Sequence, residues 1–158
     1  MRSFIFFVLL ILCVSGCATT KSIEWQTYDA GPFSFSMPAD MSKTPFQGID
    51  SYAGEFKNHE MDLKFDYGMY SNDFSDWPAT TTYEMVSIDG MPAKIGTTRL
   101  WFHGDFFRYA AQVSFMNGSE PKSGCFLAVF IMCKSPDDFV QAKRIFHSIK
   151  FIRNTSNR

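Results

Sequence analysis

The segment Cys125–Cys133 is the feature that most constrains how this chain can fold. Between its two cysteines, residues 126–132 carry no charged or polar side chain. A short apolar run rich in β-branched and aromatic residues is typical of a strand. Because successive side chains of a strand point to opposite faces of a sheet, both faces of this strand are apolar. The segment therefore predicts a buried strand at the centre of a sheet.

Alternating apolar and polar residues predict further antiparallel strands around it. In 61–67 the odd positions are apolar and the even positions charged, which indicates one buried face and one solvated face. Asp89-Gly90 and His103-Gly104-Asp105 are hairpin signals between neighbouring strands. The other predicted strands are 33–37, 51–57, 83–88, 91–95, 96–102, 106–116 and 149–152.

One helix is predicted near the end of the chain. Ser135 is a favoured N-cap, Pro136 suits the first helical position, and apolar residues then recur from Phe139 to Ile149 at helical spacing. Strands followed by a single helix predict an α+β fold. We expect an antiparallel sheet of about six to eight strands with the C-terminal helix packed on one face.

Three segments within 31–152 resemble the PsbP-like fold, which includes the bacterial DcrB-type lipoproteins. They are Phe33–Pro38, the central stretch 87–93 and the closing stretch 148–151. The resemblance implies a PsbP-like sandwich and an accessory protein of the cell envelope or thylakoid. It assigns no catalytic residue, and this chain is short between Tyr70 and Tyr83, where longer relatives are expected to have a helix.

The N-terminus has the pattern of a secretory signal. Arg2 precedes an apolar run over 4–14, which would span ~16 Å as a helix, whereas the bilayer core is ~30 Å thick. Val14-Ser15-Gly16-Cys17 resembles a bacterial lipobox, which implies cleavage before Cys17 and diacylglycerol on its sulfur. Acylation of this kind supplies the two chains that stable anchoring needs.

These features divide the chain into four parts. We expect a signal peptide over 1–16, a lipidated N-terminus and tether over 17–30, one domain over 31–152 and a frayed tail over 153–158. By resemblance to lipoproteins of Gram-negative bacteria, Ala18 after Cys17 predicts the outer membrane, facing the periplasm. The formal net charge is only −1, and Arg2 leaves with the signal, so the sequence predicts no nucleic-acid partner.

Two cysteines remain in the predicted domain, Cys125 and Cys133. If the strand between them is unbroken, they lie ~26 Å apart, whereas a disulfide needs Cα atoms within roughly 7 Å. We therefore predict two buried free thiols.

The sequence contains no established catalytic motif and predicts no cofactor. His59-Glu60-Met61-Asp62 lacks the second histidine of a zinc motif, and His103 and His147 suit a loop and a helix C-terminus. The best candidate site is the aperiodic stretch 71–80, because functional residues concentrate on such loops. Within it Asp73, Asp76 and Trp77 are candidate binding residues.

Each of these residues also has a structural interpretation. Asp73 and Asp76 could hold a calcium ion or cap turns, but calcium needs 6–8 oxygen ligands and no EF-hand spacing is present. Trp77 could form a ligand-binding patch with Tyr67 or Tyr70, or fill the end of the core.

Two functions follow from these observations. The first is a non-enzymatic envelope lipoprotein that presents a surface to a protein partner. The second is a small-ligand or metal-binding lipoprotein that uses the 71–80 loop. A deep apolar pocket near Trp77 would favour the second function, and a flat exposed aromatic patch would favour the first. An enzyme would require a cleft that gathers His59 or His103 with carboxylates.

Lipidation can be tested at Cys17. Cys17→Ala should abolish labelling with radioactive palmitate and leave an unprocessed precursor, because the acceptor sulfur is lost. Cys13→Ala, which changes a cysteine inside the signal, should be processed normally. Normal maturation and membrane fractionation of Cys17→Ala would overturn the lipoprotein interpretation.

Overall fold

The structure is a computed structural model that describes residues 22–46, 48, 50–71, 74, 76–100, 108–116 and 125–152. Within these ranges the chain forms ten strands, a short 3₁₀ turn at Pro136–Asp138 and one α-helix. In chain order they are β1 (Trp25–Asp29), β2 (Phe33–Pro38), β3 (Ser42–Thr44), β4 (Tyr52–Lys57), β5 (Met61–Ser71), β6 (Thr82–Ile88), β7 (Met91–Arg99), β8 (Tyr109–Met116), β9 (Cys125–Cys133), α1 (Phe139–His147) and β10 (Lys150–Phe151).

The strands form two antiparallel sheets. The larger has seven strands in the order β3-β4-β5-β9-β8-β7-β6, and the smaller has three in the order β1-β2-β10. β9 is the middle strand of the larger sheet, as its sequence predicts, and pairs with β5 on one side and β8 on the other. The predicted α+β class and C-terminal helix are confirmed, and the seven strands of the larger sheet agree with the six to eight predicted; the separate three-stranded sheet was not predicted.

The hydrophobic core lies between the larger sheet and a second layer made of the smaller sheet and α1. We call the face of the larger sheet toward this core the inner face. β9 contributes Leu127, Val129 and Ile131 to it, all completely buried. Phe33 and Phe35 of β2 pack opposite, and the Phe33 ring contacts the Phe65 ring at a centroid distance of 5.4 Å. The apolar odd positions of β5 and β9 thus define the core, as the alternation predicts.

The helix begins where the sequence places it. The Ser135 hydroxyl accepts a hydrogen bond from the Asp137 amide (3.2 Å), and the Asp138 carboxylate accepts one from the Ser135 amide (3.0 Å). This reciprocal pair is a capping box, which satisfies two backbone donors at the helix start. α1 then buries Ala142, Ile145 and Phe146 against the core.

The Asp89-Gly90 hairpin also joins the two layers. Both residues have positive φ (52° and 78°), the conformation that two-residue hairpin turns need and that glycine adopts at little cost. The Asp89 carboxylate accepts a hydrogen bond from the Phe151 amide of β10 at 2.9 Å. The turn between β6 and β7 is therefore fixed to the smaller sheet.

The structure corrects several element boundaries. The tether predicted over 17–30 is too long, because Trp25–Asp29 forms β1 and pairs with β2. Here pairing with a neighbouring strand stabilises a segment that lacks an apolar stripe. The strand β3 was missed because it is short and polar. The two strands predicted at 91–95 and 96–102 are instead one strand, β7 (Met91–Arg99), whose two edges pair with β6 and β8. Residues 1–21, the His103 hairpin loop and the tail 153–158 lie outside the described residues.

The opposite face of the larger sheet, which we call the outer face, is less solvated than the sequence predicts. The alternation in 61–67 predicts solvent at the even positions, but Asp62 is only 4% exposed, and Glu55 on the adjacent strand is 7% exposed. Lys57 lies between them, with its Nζ 3.1 Å from Glu55 Oε1 and 3.2 Å from Asp62 Oδ2. Ion pairing between neighbouring strands therefore covers charged groups that the pattern assigns to water.

Cys133 is a buried free thiol, and burial raises its pKa to about 12, with the nearby charge of Asp138 acting in the same direction. The strand from Cys125 to Cys133 is continuous, so the two sulfurs of one chain cannot bond. The side chain of Cys125 lies outside the described residues. In the part of the chain that the structure describes, no helix has both the length and the apolar character needed to cross a membrane.

The thiol prediction can be checked by counting. In denaturant without reductant, a thiol reagent should find two thiols per mature chain, because the lipidated Cys17 does not react. In the native protein at neutral pH, Cys133 should react slowly, since burial shields it and keeps it protonated. Mass mapping of the labelled peptides separates the two cysteines. A count of zero in denaturant would show that the thiols pair between molecules.

Candidate functional site

A pocket of about 650 Å³ lies on the outer face of the larger sheet, on the side away from the core. Its floor is formed by outward-facing residues of β5, β8 and β9, and its walls by residues 76–78 of the 71–80 loop and by the segment that leads into β4. Most of the lining is apolar or aromatic. The described lining residues are Phe46, Gly48, Ser51, Ala53, Lys64, Phe65, Asp66, Asp76, Trp77, Pro78, Leu100, Gln112, Ala128 and Phe130.

The 71–80 loop is fixed on the sheet by Phe74. This side chain is 5% exposed and lies over Gly96 of β7. A Cβ at Gly96 would lie 2.5 Å from Phe74 Cε1, so only glycine permits this contact. Phe74 has φ +77°, a region that costs a bulky residue roughly 1–3 kcal/mol and persists only where the surroundings enforce it. Packing on Gly96 thus holds Phe74 in a strained conformation beside the pocket.

Trp77 forms the wall of the pocket next to Phe74. It is half-buried, and its ring meets the rings of Phe74 (5.0 Å between centroids) and Phe130 (6.0 Å) edge to face. The predicted patch with Tyr67 is wrong, because the Tyr67 ring contacts Phe33 in the core on the inner face. The side chain of Tyr70 lies outside the described residues. Trp77 is therefore neither a core plug nor part of a flat patch; it lines a cavity.

Of the two carboxylates predicted as binding residues, the structure describes only Asp76. Asp76 lines the pocket and is exposed at its rim, whereas Asp73 lies outside the described residues. Among the described residues, no group of three or more His, Cys, Asp or Glu side chains is arranged to hold a metal ion. His59, a candidate in the sequence, is exposed and its Nε2 lies 3.7 Å from Glu60 Oε1, in the turn before β5.

A charged network borders the pocket at Lys64. Lys64 Nζ lies 3.2 Å from Glu55 Oε1, and Lys57 joins the same carboxylate to Asp62. Burial alone would raise the pKa of Glu55, but hydrogen bonds from Thr44, Lys57 and Lys64 outweigh it and lower that pKa. Glu55 is therefore ionised at neutral pH, and the positive charge of Lys64 is already balanced.

The sequence reasoning found the loop but missed the floor of the pocket. Ala128 and Phe130 occupy the even positions of β9, on the outer face. The sequence did contain a sign of this floor, because a strand that is apolar on both faces needs other residues to shield each face from water. Phe46 and Leu100 carried no signal, since each lies just outside a strand and only the tertiary structure brings it to the cavity.

Comparison with known proteins identifies the fold. The solution structure of cyanobacterial PsbP (CyanoP) from Synechocystis sp. PCC 6803 matches with a TM-score of 0.54 at 12% identity, covering 88% of this chain and 99% of that one. A crystal structure from Bacteroides thetaiotaomicron VPI-5482 matches 85% of this chain and 50% of its own, at 12% identity and a TM-score of 0.49. No protein-family model and no curated protein matches the chain. The likeness to CyanoP confirms the predicted PsbP-like fold and, at this identity, shows the fold alone.

The half-burial of Trp77 predicts a moderate role in stability. Trp77→Ala should lower the free energy of unfolding by about 1–2 kcal/mol, since the side chain makes two aromatic contacts and leaves no closed cavity. Phe74→Ala should cost about 3 kcal/mol or more, because it empties a buried site over Gly96. Urea unfolding of both variants gives the comparison. If Trp77→Ala costs as much as Phe74→Ala, Trp77 belongs to the core.

Proposed function

We propose that this chain is a non-enzymatic binding module of the cell envelope, and that the pocket on the outer face binds a small ligand through an apolar part of that ligand. The observation that carries the proposal is the pocket itself, because Trp77 lines a concave apolar cavity rather than a flat surface. Its volume falls in the range of about 300–1,000 Å³ that is usual for small-molecule sites. Of the two functions drawn from the sequence, this observation favours the second.

The energetics of the lining support binding. Trp77, Pro78, Leu100 and Phe130 present apolar surface to the cavity. Covering such surface stabilises a complex by roughly 25 cal/mol for each Å² removed from water. The central strand is rigid, since it is paired on both edges, so the floor is preformed and binding requires little ordering. We propose that lipid on Cys17 holds the module at the membrane, with the domain on the periplasmic side of the outer membrane.

A protein partner is a second candidate function, and a different observation favours it. β6 is the last strand of the larger sheet in its described order, and it exposes Tyr83 (42%) and Met85 (66%). An exposed edge with large apolar side chains can pair with an extended segment of another protein. Both residues lie outside the pocket lining, so the two functions can be separated by mutation.

The ligand proposal can be tested with N-phenyl-1-naphthylamine, a neutral fluorescent probe of apolar sites. We expect saturable binding to the wild type and at least a tenfold loss of affinity in Ala128→Leu, which fills the floor of the cavity. Trp77→Ala should weaken binding severalfold by removing a wall. Thermal melts of each variant verify that the domain remains folded.

Met85→Lys is the matched control on the same sheet. It should leave probe affinity unchanged and remove binding of an edge-strand partner. Saturable probe binding that is equal in the wild type, Ala128→Leu and Trp77→Ala would place the binding elsewhere and overturn the proposal. Failure of the wild type to bind the probe would overturn it as well.

A further inference from the structure

Some charged side chains around the pocket are already paired within the protein, and another is free to interact with a ligand. Its described lining carries three charged side chains, Lys64, Asp66 and Asp76. Lys64 is paired with Glu55 at 3.2 Å, and its Nζ also lies 5.8 Å from the centre of the Phe46 ring. The network of Glu55, Lys57, Asp62 and Lys64 contains two positive and two negative groups, so its charge is balanced internally.

Asp76, unlike the ion-paired network around Glu55, has an unbalanced charge. It is exposed at the rim of the cavity, next to Trp77, and makes no ion pair with any cation among the described residues. Lys94, on the same face of the sheet, has its Nζ over the Tyr83 ring at 4.1 Å and over the Phe74 ring at 5.2 Å. Lys94 does not line the pocket, and Lys64, the one cation among the described lining residues, is paired with Glu55, so the charge of Asp76 is available to a ligand there.

Aromatic rings line the same cavity. Phe46, Trp77 and Phe130 border it, and the Trp77 and Phe130 rings are in contact. A positively charged group within about 6 Å of such a ring is attracted to its face, and tryptophan attracts it most strongly. An anionic ligand would find no balancing charge here, because Lys64 is already paired.

We propose that the ligand of this pocket is a small amphiphilic cation, with an apolar body on the floor at Ala128 and Phe130 and an ammonium group at the rim between Trp77 and Asp76. This inference rests on the proposed function and adds the charge of the ligand to it. The apolar floor supplies affinity and Asp76 supplies the preference between ligands of different charge.

The test compares three probes that share one octyl chain: octyltrimethylammonium, octyl glucoside and octyl sulfate, each below its micelle concentration. Titration calorimetry on the wild type should give the tightest binding for the cation, roughly fivefold tighter than the neutral glucoside. The sulfate should bind most weakly. The preference for the cation should shrink at high ionic strength, because Asp76 is exposed and salt screens its charge.

Two charge-matched variants isolate the role of Asp76. Asp76→Asn should reduce the preference for the cation over the glucoside to about twofold or less, with the affinity for the glucoside unchanged. Glu24→Gln removes an equal charge at an exposed site that does not line this pocket, and it should preserve the wild-type preference.

The outcomes separate this inference from the proposed function. If all three probes bind equally well and Ala128→Leu blocks them, the pocket is a ligand site without charge preference, and the inference is wrong. The inference is also wrong if the sulfate binds best, or if Asp76→Asn and Glu24→Gln behave alike. If no octyl probe binds, or if Ala128→Leu has no effect on binding, the proposed function fails and the inference fails with it.

Discussion

The structure depends on the burial of β9 on both faces. Because β9 pairs with β5 on one edge and β8 on the other, the strand cannot expose either set of side chains without a large hydrophobic cost. On the inner face Leu127, Val129 and Ile131 are covered by the smaller sheet and α1. On the outer face no second sheet covers Ala128 and Phe130 in the described chain; the 71–80 loop covers them in part. The pocket is the space that this incomplete cover leaves.

The loop can act as a wall because one contact fixes it. Phe74 fills the place that a side chain at position 96 would occupy, and this contact holds an unfavourable backbone conformation next to Trp77. Because the Phe74 ring in turn contacts the Trp77 ring, this wall of the cavity is preformed and little ordering is required when a ligand binds. The balanced ion pairs around Glu55 close the neighbouring part of the outer face. Between these two features lie the apolar floor and the exposed carboxylate of Asp76.

The sequence predicted the elements better than the surfaces between them. The β9 strand, the Asp89-Gly90 turn and the capped helix were predicted, because local chemistry determines each of them: a run of apolar residues, a pair of positive φ angles and a capping box. β1 and β3 were missed because their strand conformation comes from pairing with β2 and β4. The solvated face predicted for 61–67 was wrong in part, since the alternation does not show that Lys57 bridges Asp62 to Glu55.

The sequence alone thus determined the fold class and the central strand, because hydrophobic periodicity and turn residues act over a few neighbouring positions. It also identified Trp77 as a candidate binding residue, because Trp77 lies in a stretch without periodicity. It did not determine what Trp77 contacts. The predicted neighbour Tyr67 points to the core, while Phe130, far along the chain, meets Trp77 across the outer face. Only the tertiary structure decided that Phe46, Leu100 and the 71–80 loop enclose one cavity, since long-range strand pairing sets those distances.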